Sequence, residues 1–264
     1  MTRSGLTFLL AVALISAGCS ATAAEPELRV LFVGNSYTTE NSLPTVFAEF
    51  AEAGGHPVEV GVTARGAWSL ADHVASESFT NALGSRSWDV VVLQEQSVIP
   101  SLLDNRERDM YPAGARLSER ITGRNAQVLL FMTWSRQDGL PVEEFGFASS
   151  KEMQKAIEDG YLGLANLIDA QVAPVGRAWA NVRSSSPLNL YDADGSHPNE
   201  AGTYLAAAVF YASMFQASPL GINYHGNLDS DDAEFLQRIA AETVLSEGSL
   251  WFLSGNRVAR PDDN

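Results

Sequence analysis

Five short apolar runs, separated by stretches with helical spacing, limit this chain to one kind of architecture. The runs are Leu28 to Val33, Val58 to Thr63, Asp89 to Leu93, Gln127 to Met132 and Gln171 to Val175. Several are apolar on consecutive residues, as strands covered on both faces are. Helical patterns occupy Leu43 to Ala53, a stretch around Ser69 to Leu83, Glu107 to Thr122 and Lys151 to Asp169. Two more close the chain, Pro198 to Phe215 and Asp231 to Glu247. Strands that alternate with helices pair in parallel through right-handed crossovers. The expected fold is a three-layer α/β/α sandwich around a mainly parallel five-stranded sheet, with ligands gathering at the carboxyl ends of the strands.

Charge and the N-terminus narrow the setting. The formal net charge of −15 argues against a polyanionic partner, so no nucleic acid is expected. Residues 1–23 have one basic residue, Arg3, then an apolar segment from Leu6 to Ala17 and a run of small residues, the pattern of a secretory leader. The apolar segment is shorter than a bilayer span. Two cleavage sites are open: after Ala23, in Ala21-Thr22-Ala23, or after Gly18, before Cys19. The second would leave a lipid-anchored cysteine in the manner of a bacterial lipobox, with Ser16 departing from the usual aliphatic residue. Either way the protein is expected to be exported, to the periplasm or beyond the cell, with membrane anchoring through Cys19 in the second case. Cys19 is the sole cysteine, so residues 24–264, read as a single domain without repeats or linkers, hold neither a disulfide nor a thiol nucleophile.

The first run ends at Gly34-Asn35-Ser36, which places a serine where an open α/β sheet keeps its chemistry. Such a serine is either a turn residue or a nucleophile, and a nucleophile needs a base. Of four histidines, His56 reads as a solvated loop residue, His73 as a surface or boundary residue of a helix, and His225 as a rim residue. His197 stands apart. Asp194 precedes it by three residues, Gly195 allows the turn to fold back, and Pro198 suits the first position of a helix that His197 would cap. The Asp194 carboxylate can then meet one ring nitrogen while the other faces Ser36.

These residues resemble the SGNH hydrolases, the GDSL-like esterases. "VGNSYT" matches their first block with Asn35 in the Asp place, and "DGSHPNEAG" matches their Asp-x-x-His block, including the downstream glycine. The resemblance implies a flavodoxin-like SGNH fold, a catalytic set of Ser36, Asp194 and His197, and an oxyanion hole formed by the amides of Ser36 and Gly66. The family's third block, Gly-x-Asn-Asp, is absent from "DVVVLQEQSVIP". Position counting puts Gln96 in the place of the oxyanion-binding asparagine, with Gln94 as the alternative. No metal or cofactor is implied, and only one of the four histidines sits in a cluster with carboxylates, which disfavours a metal-dependent phosphoesterase.

The expected function is therefore a serine esterase acting on small acyl esters. Acetylated carbohydrate is the preferred substrate class, since export, Trp134 as a stacking platform after the fourth strand and the lack of a long apolar lid all fit it. A non-catalytic carbohydrate-binding protein on the same fold, and an acyltransferase using the same residues, are the competing readings. The sequence gives no oligomeric state.

Overall fold

The computed structural model describes residues 28–141, 143 and 146–251. The expected leader, with Cys19, lies outside them. Five strands form one parallel sheet in the order β2-β1-β3-β4-β5. They are β1 (Leu28–Gly34), β2 (Val58–Ala64), β3 (Val90–Leu93), β4 (Gln127–Phe131) and β5 (Gln171–Ala173). Short α1 (Ser36–Thr39) and α2 (Leu43–Ala53) follow β1, and α3 (Leu70–Ala75) and α4 (Glu77–Gly84) follow β2. A π-helical turn at Arg106–Met110 leads into α5 (Tyr111–Thr122) after β3, and α6 (Ser150–Ile168) follows β4. After β5 come α7 (Val175–Ser185), α8 (Glu200–Phe215), α9 (Ser230–Leu245) and α10 (Gly248–Trp251).

Period-two side-chain alternation explains the layers. Val30, Phe32, Val90, Val92, Leu129 and Phe131 pack on one side against α2, α7, α8 and α9, through side chains such as Phe47, Trp179, Phe210 and Leu236. Leu31, Val33, Val91, Leu93 and Leu130 face the other side, against Leu70, Phe79, Leu117 and Ile157. Both faces are covered, so the strands read as continuous apolar runs. α8 is buried at every residue from Ala201 to Phe215, and its sequence is accordingly apolar all round.

Three departures from expectation have a clear local cause. The stretch around Ser69 to Leu83 is two helices, because Ser76 is extended at φ −89° and ψ 141° and caps α4 through Phe79 N. β5 ends at Ala173 rather than Val175, and Pro174 opens a helix that the sequence reading missed. α8 begins at Glu200 rather than Pro198, capped by the Asn199 side chain on Gly202 N, so His197 is not its N-cap. The cause is extended pairing just before the helix: Tyr191 bridges Pro198, and Asn199 N donates to Leu190 O at 3.0 Å.

Candidate active site

The turn after β1 is held from all sides. Asn35 caps α1 by accepting from Tyr37 N at 3.1 Å, and its Nδ2 donates to Trp68 O at 2.8 Å in the loop after β2. Asn35 N donates to Gln94 Oε1 at 2.8 Å, and Thr38 Oγ1 donates to the same oxygen at 3.0 Å. A Cβ on Gly34 would lie 2.4 Å from that oxygen, so only glycine admits the close approach. Ser36 stands at the first helical position, where its N–H has no intrahelical partner.

His197 meets this serine from a second loop. Its Nε2 lies 2.9 Å from Ser36 Oγ, and its Nδ1 lies 2.5 Å from Asp194 Oδ2. Gly195, at φ +66°, folds the loop back. The other Asp194 oxygen accepts from Ser196 N and His197 N, both at 2.9 Å. Desolvation pushes the Asp194 carboxyl upward, but the bonds from the His197 ring and these amides outweigh it and hold the group at about 2. Asp194 is therefore a carboxylate at neutral pH. Asp192, the nearest other carboxylate in the sequence, accepts instead from Ala193 N.

The oxyanion candidates are placed less uniformly. Gly66 is exposed in a turn closed by Trp68 N on Arg65 O, with the left-handed conformation taken by Ala67 at φ +63°. A Cβ on Gly66 would meet no heavy atom within 4 Å, so packing does not require the glycine. Gln94 cannot serve: it is fully buried, its oxygen holds the Ser36 turn and its nitrogen donates to Glu95 O. Gln96 Oε1 accepts from Val98 N at 2.8 Å and Ile99 N at 3.3 Å, which leaves Nε2 as its remaining donor.

Trp134 is not a platform. It is 1% exposed, stacked between Tyr37 at 4.7 Å and Trp179 at 4.0 Å, and its Nε1 donates to Ser196 O. Its large apolar area is spent inside the molecule, where it props the His197 loop. His73 is likewise no boundary residue. It is fully buried beneath the site, with Nε2 2.8 Å from Gly34 O, and burial lowers its pKa. His56 stacks on Phe215 at 4.3 Å, and His225 lines a separate cleft with Glu49, Glu200 and Tyr224.

A family model described as a domain of unknown function (DUF4886) matches residues 69–244. A candidate SGNH hydrolase from Slackia heliotrinireducens is 33% identical over 71% of this chain and 98% of its own, with a TM-score of 0.61. This chain belongs to the DUF4886 family, within the SGNH hydrolases. A DUF4886 protein from Bacteroides uniformis shares the fold at 21% identity, covering 83% of this chain and 95% of its own, with a TM-score of 0.72. A variant of an acetyl xylan esterase from Geobacillus stearothermophilus also shares it, at 13% identity, 69% and 92% coverage and a TM-score of 0.51. Among curated proteins none matches significantly.

Two residues of this SGNH hydrolase escaped the sequence reading. Tyr37 places its hydroxyl 2.6 Å from Ser196 Oγ and its ring edge-on to His197 at 5.5 Å, so it braces the loop carrying His197. Glu95 is fully buried, with Oε1 accepting from Leu70 N at 3.1 Å and Gln96 N at 2.6 Å, while Oε2 has no partner. Burial, followed by the opposing pull of the Gln96 and Leu70 amides, leaves its carboxyl at about 7. The available signal was the run Gln94-Glu95-Gln96 directly after an apolar strand, where polar side chains entering a core must find partners.

Proposed function

We propose that this SGNH hydrolase is an exported serine esterase that removes small acyl groups. The observation that carries the reading is the hydrogen-bonded series from Ser36 Oγ through His197 to Asp194. His197 Nε2 takes the hydroxyl proton as Oγ attacks the ester carbonyl, and returns it to the departing alcohol. Water then attacks acyl-Ser36 with the same base, releasing the acid. The Ser36 and Gly66 amides and Gln96 Nε2 stabilise the charge on the carbonyl oxygen.

Acetylated carbohydrate is the proposed substrate class. The side chains of His197 and Asp194 are 33% and 48% exposed, which suits a small acyl group on a bulky polar alcohol better than a long chain seeking apolar cover. The fold shared with an acetyl xylan esterase points the same way. A panel of 4-nitrophenyl esters of increasing chain length, run beside acetylated sugars, tests the reading. Acetyl esters should turn over fastest and Ser36→Ala should be inactive. Hydrolysis of none of them, or equal rates in Ser36→Ala, would refute it.

A further inference from the structure

Arg136, in the loop after β4, is the charged side chain beside the site that ester hydrolysis leaves unused. Its Nη2 donates to Ser97 Oγ at 3.2 Å, so the guanidinium crosses from β4 to the loop after β3, toward the β1 turn. It reaches the surroundings of Tyr37, the residue after Ser36, whose phenol is pushed up by burial and drawn back by Ser196, Arg136 and Ser97. Arg136 Nε is buried without a hydrogen-bond partner. No described carboxylate lies within ion-pair distance of Arg136; the same holds for Arg106, Arg120 and Arg183, but those guanidinium groups donate to the backbone carbonyls of Ala156, Val74 and Gln137, whereas among the described residues Arg136 donates only to a serine hydroxyl. Among the described residues, Arg136 is thus a partly buried cation to which neither a carboxylate nor a carbonyl is hydrogen-bonded. Such a cation is costly unless an anion is supplied, and a guanidinium fork matches a carboxylate with two parallel hydrogen bonds.

We propose that Arg136 is a specificity-determining residue that binds a carboxylate carried by the ester substrate, beside the carbonyl that Ser36 attacks. This rests on the esterase reading above. The carboxylate belongs either to the acyl group or to the alcohol, and two matched pairs separate the sources. Mono-4-nitrophenyl succinate against 4-nitrophenyl butyrate reports the acyl side. An acetylated methyl glucuronoside against the corresponding methyl glucoside reports the alcohol side.

In at least one pair the charged ester should have a kcat/KM about tenfold or more higher, mainly through KM, as a charge-assisted hydrogen bond provides. Arg136→Gln should abolish that preference and Arg136→Lys should keep part of it. No preference in either pair, or an Arg136→Gln loss equal for charged and neutral esters, would overturn the proposal, the latter marking Arg136 as a tether between loops. If no ester is hydrolysed the esterase reading fails by itself, and equilibrium binding of succinate and methyl glucuronoside decides Arg136 separately. Binding about tenfold weaker in Arg136→Gln would then support the proposal, and equal binding would overturn it.

Discussion

Glu95 and Asp194 are carboxylates a few residues from the same chemistry, and their surroundings drive them in opposite directions. Glu95 holds its proton to about 7 in the folded chain, while the unfolded chain releases it near 4.5. Across that window the folded state binds more protons, so stability falls as pH rises, by roughly 3 kcal/mol in all. Denaturant unfolding at pH 4.5 and pH 8 should show that fall, and Glu95→Gln should be free of it. An unchanged pH slope in the variant would place the effect elsewhere. Asp194 stays ionised far below neutrality, and the role proposed for it is to orient the His197 ring. Asp194→Asn should lower turnover about 10²- to 10⁴-fold, with little change in thermal midpoint because an asparagine keeps the Oδ1 acceptor for the Ser196 and His197 amides. Retained turnover would remove Asp194 from the mechanism. For Gln96, whose oxygen is engaged by Val98 and Ile99, loss of the nitrogen should act on the transition state. Gln96→Ala should cost about 10²- to 10³-fold in kcat with little change in KM. A KM effect alone would assign it to substrate binding instead.

At the scale of elements, the β1 turn depends on side chains from neighbouring strand ends. Gln94→Ala would leave Asn35 N and Thr38 Oγ1 without their shared acceptor, at a cost of about 1 to 3 kcal/mol. Chemical denaturation should show that loss, and a wild-type midpoint would mean that the turn holds itself. Strands and long helices were legible because apolar runs and periodicity are properties of the local sequence. The two chemical blocks were legible for a related reason: Asp194, Gly195 and His197 close on one another within a single loop, so their spacing carries their geometry. The third block was not legible, because Gln94 and Glu95 are defined by what lies across from them in the β1 and β2 loops. α7 was hidden by extending β5 through Val175, although Val175, Ala178, Trp179 and Val182 have helical spacing. Trp134 was misplaced because the sequence does not say that Tyr37 and Trp179 sandwich it.

Across the whole molecule, the parallel sheet brings to one edge the loop after β1 with Ser36, the loop after β3 with Gln96, the loop after β4 with Arg136 and, from far along the chain, His197. Parallel strands all end on the same side, so residues 161 positions apart can share a hydrogen bond without any local signal joining them. The proposed site therefore needs the folded sheet, and a denatured chain should not display a reactive serine. The proposed export belongs to the same scale. If cleavage precedes Cys19, a palmitate analogue fed to a bacterial host should label the wild type and not Cys19→Ser, whereas an unlabelled, released wild type would favour cleavage after Ala23. The proposed chemistry depends above all on Ser36 being a nucleophile made reactive by His197. Its most direct measurement is intact-mass analysis of the folded protein after treatment with a serine-directed organophosphonate. A single adduct is expected on Ser36, absent from Ser36→Ala and formed far more slowly in His197→Ala. An adduct that persists in Ser36→Ala, or a folded wild type that takes none, would contradict it.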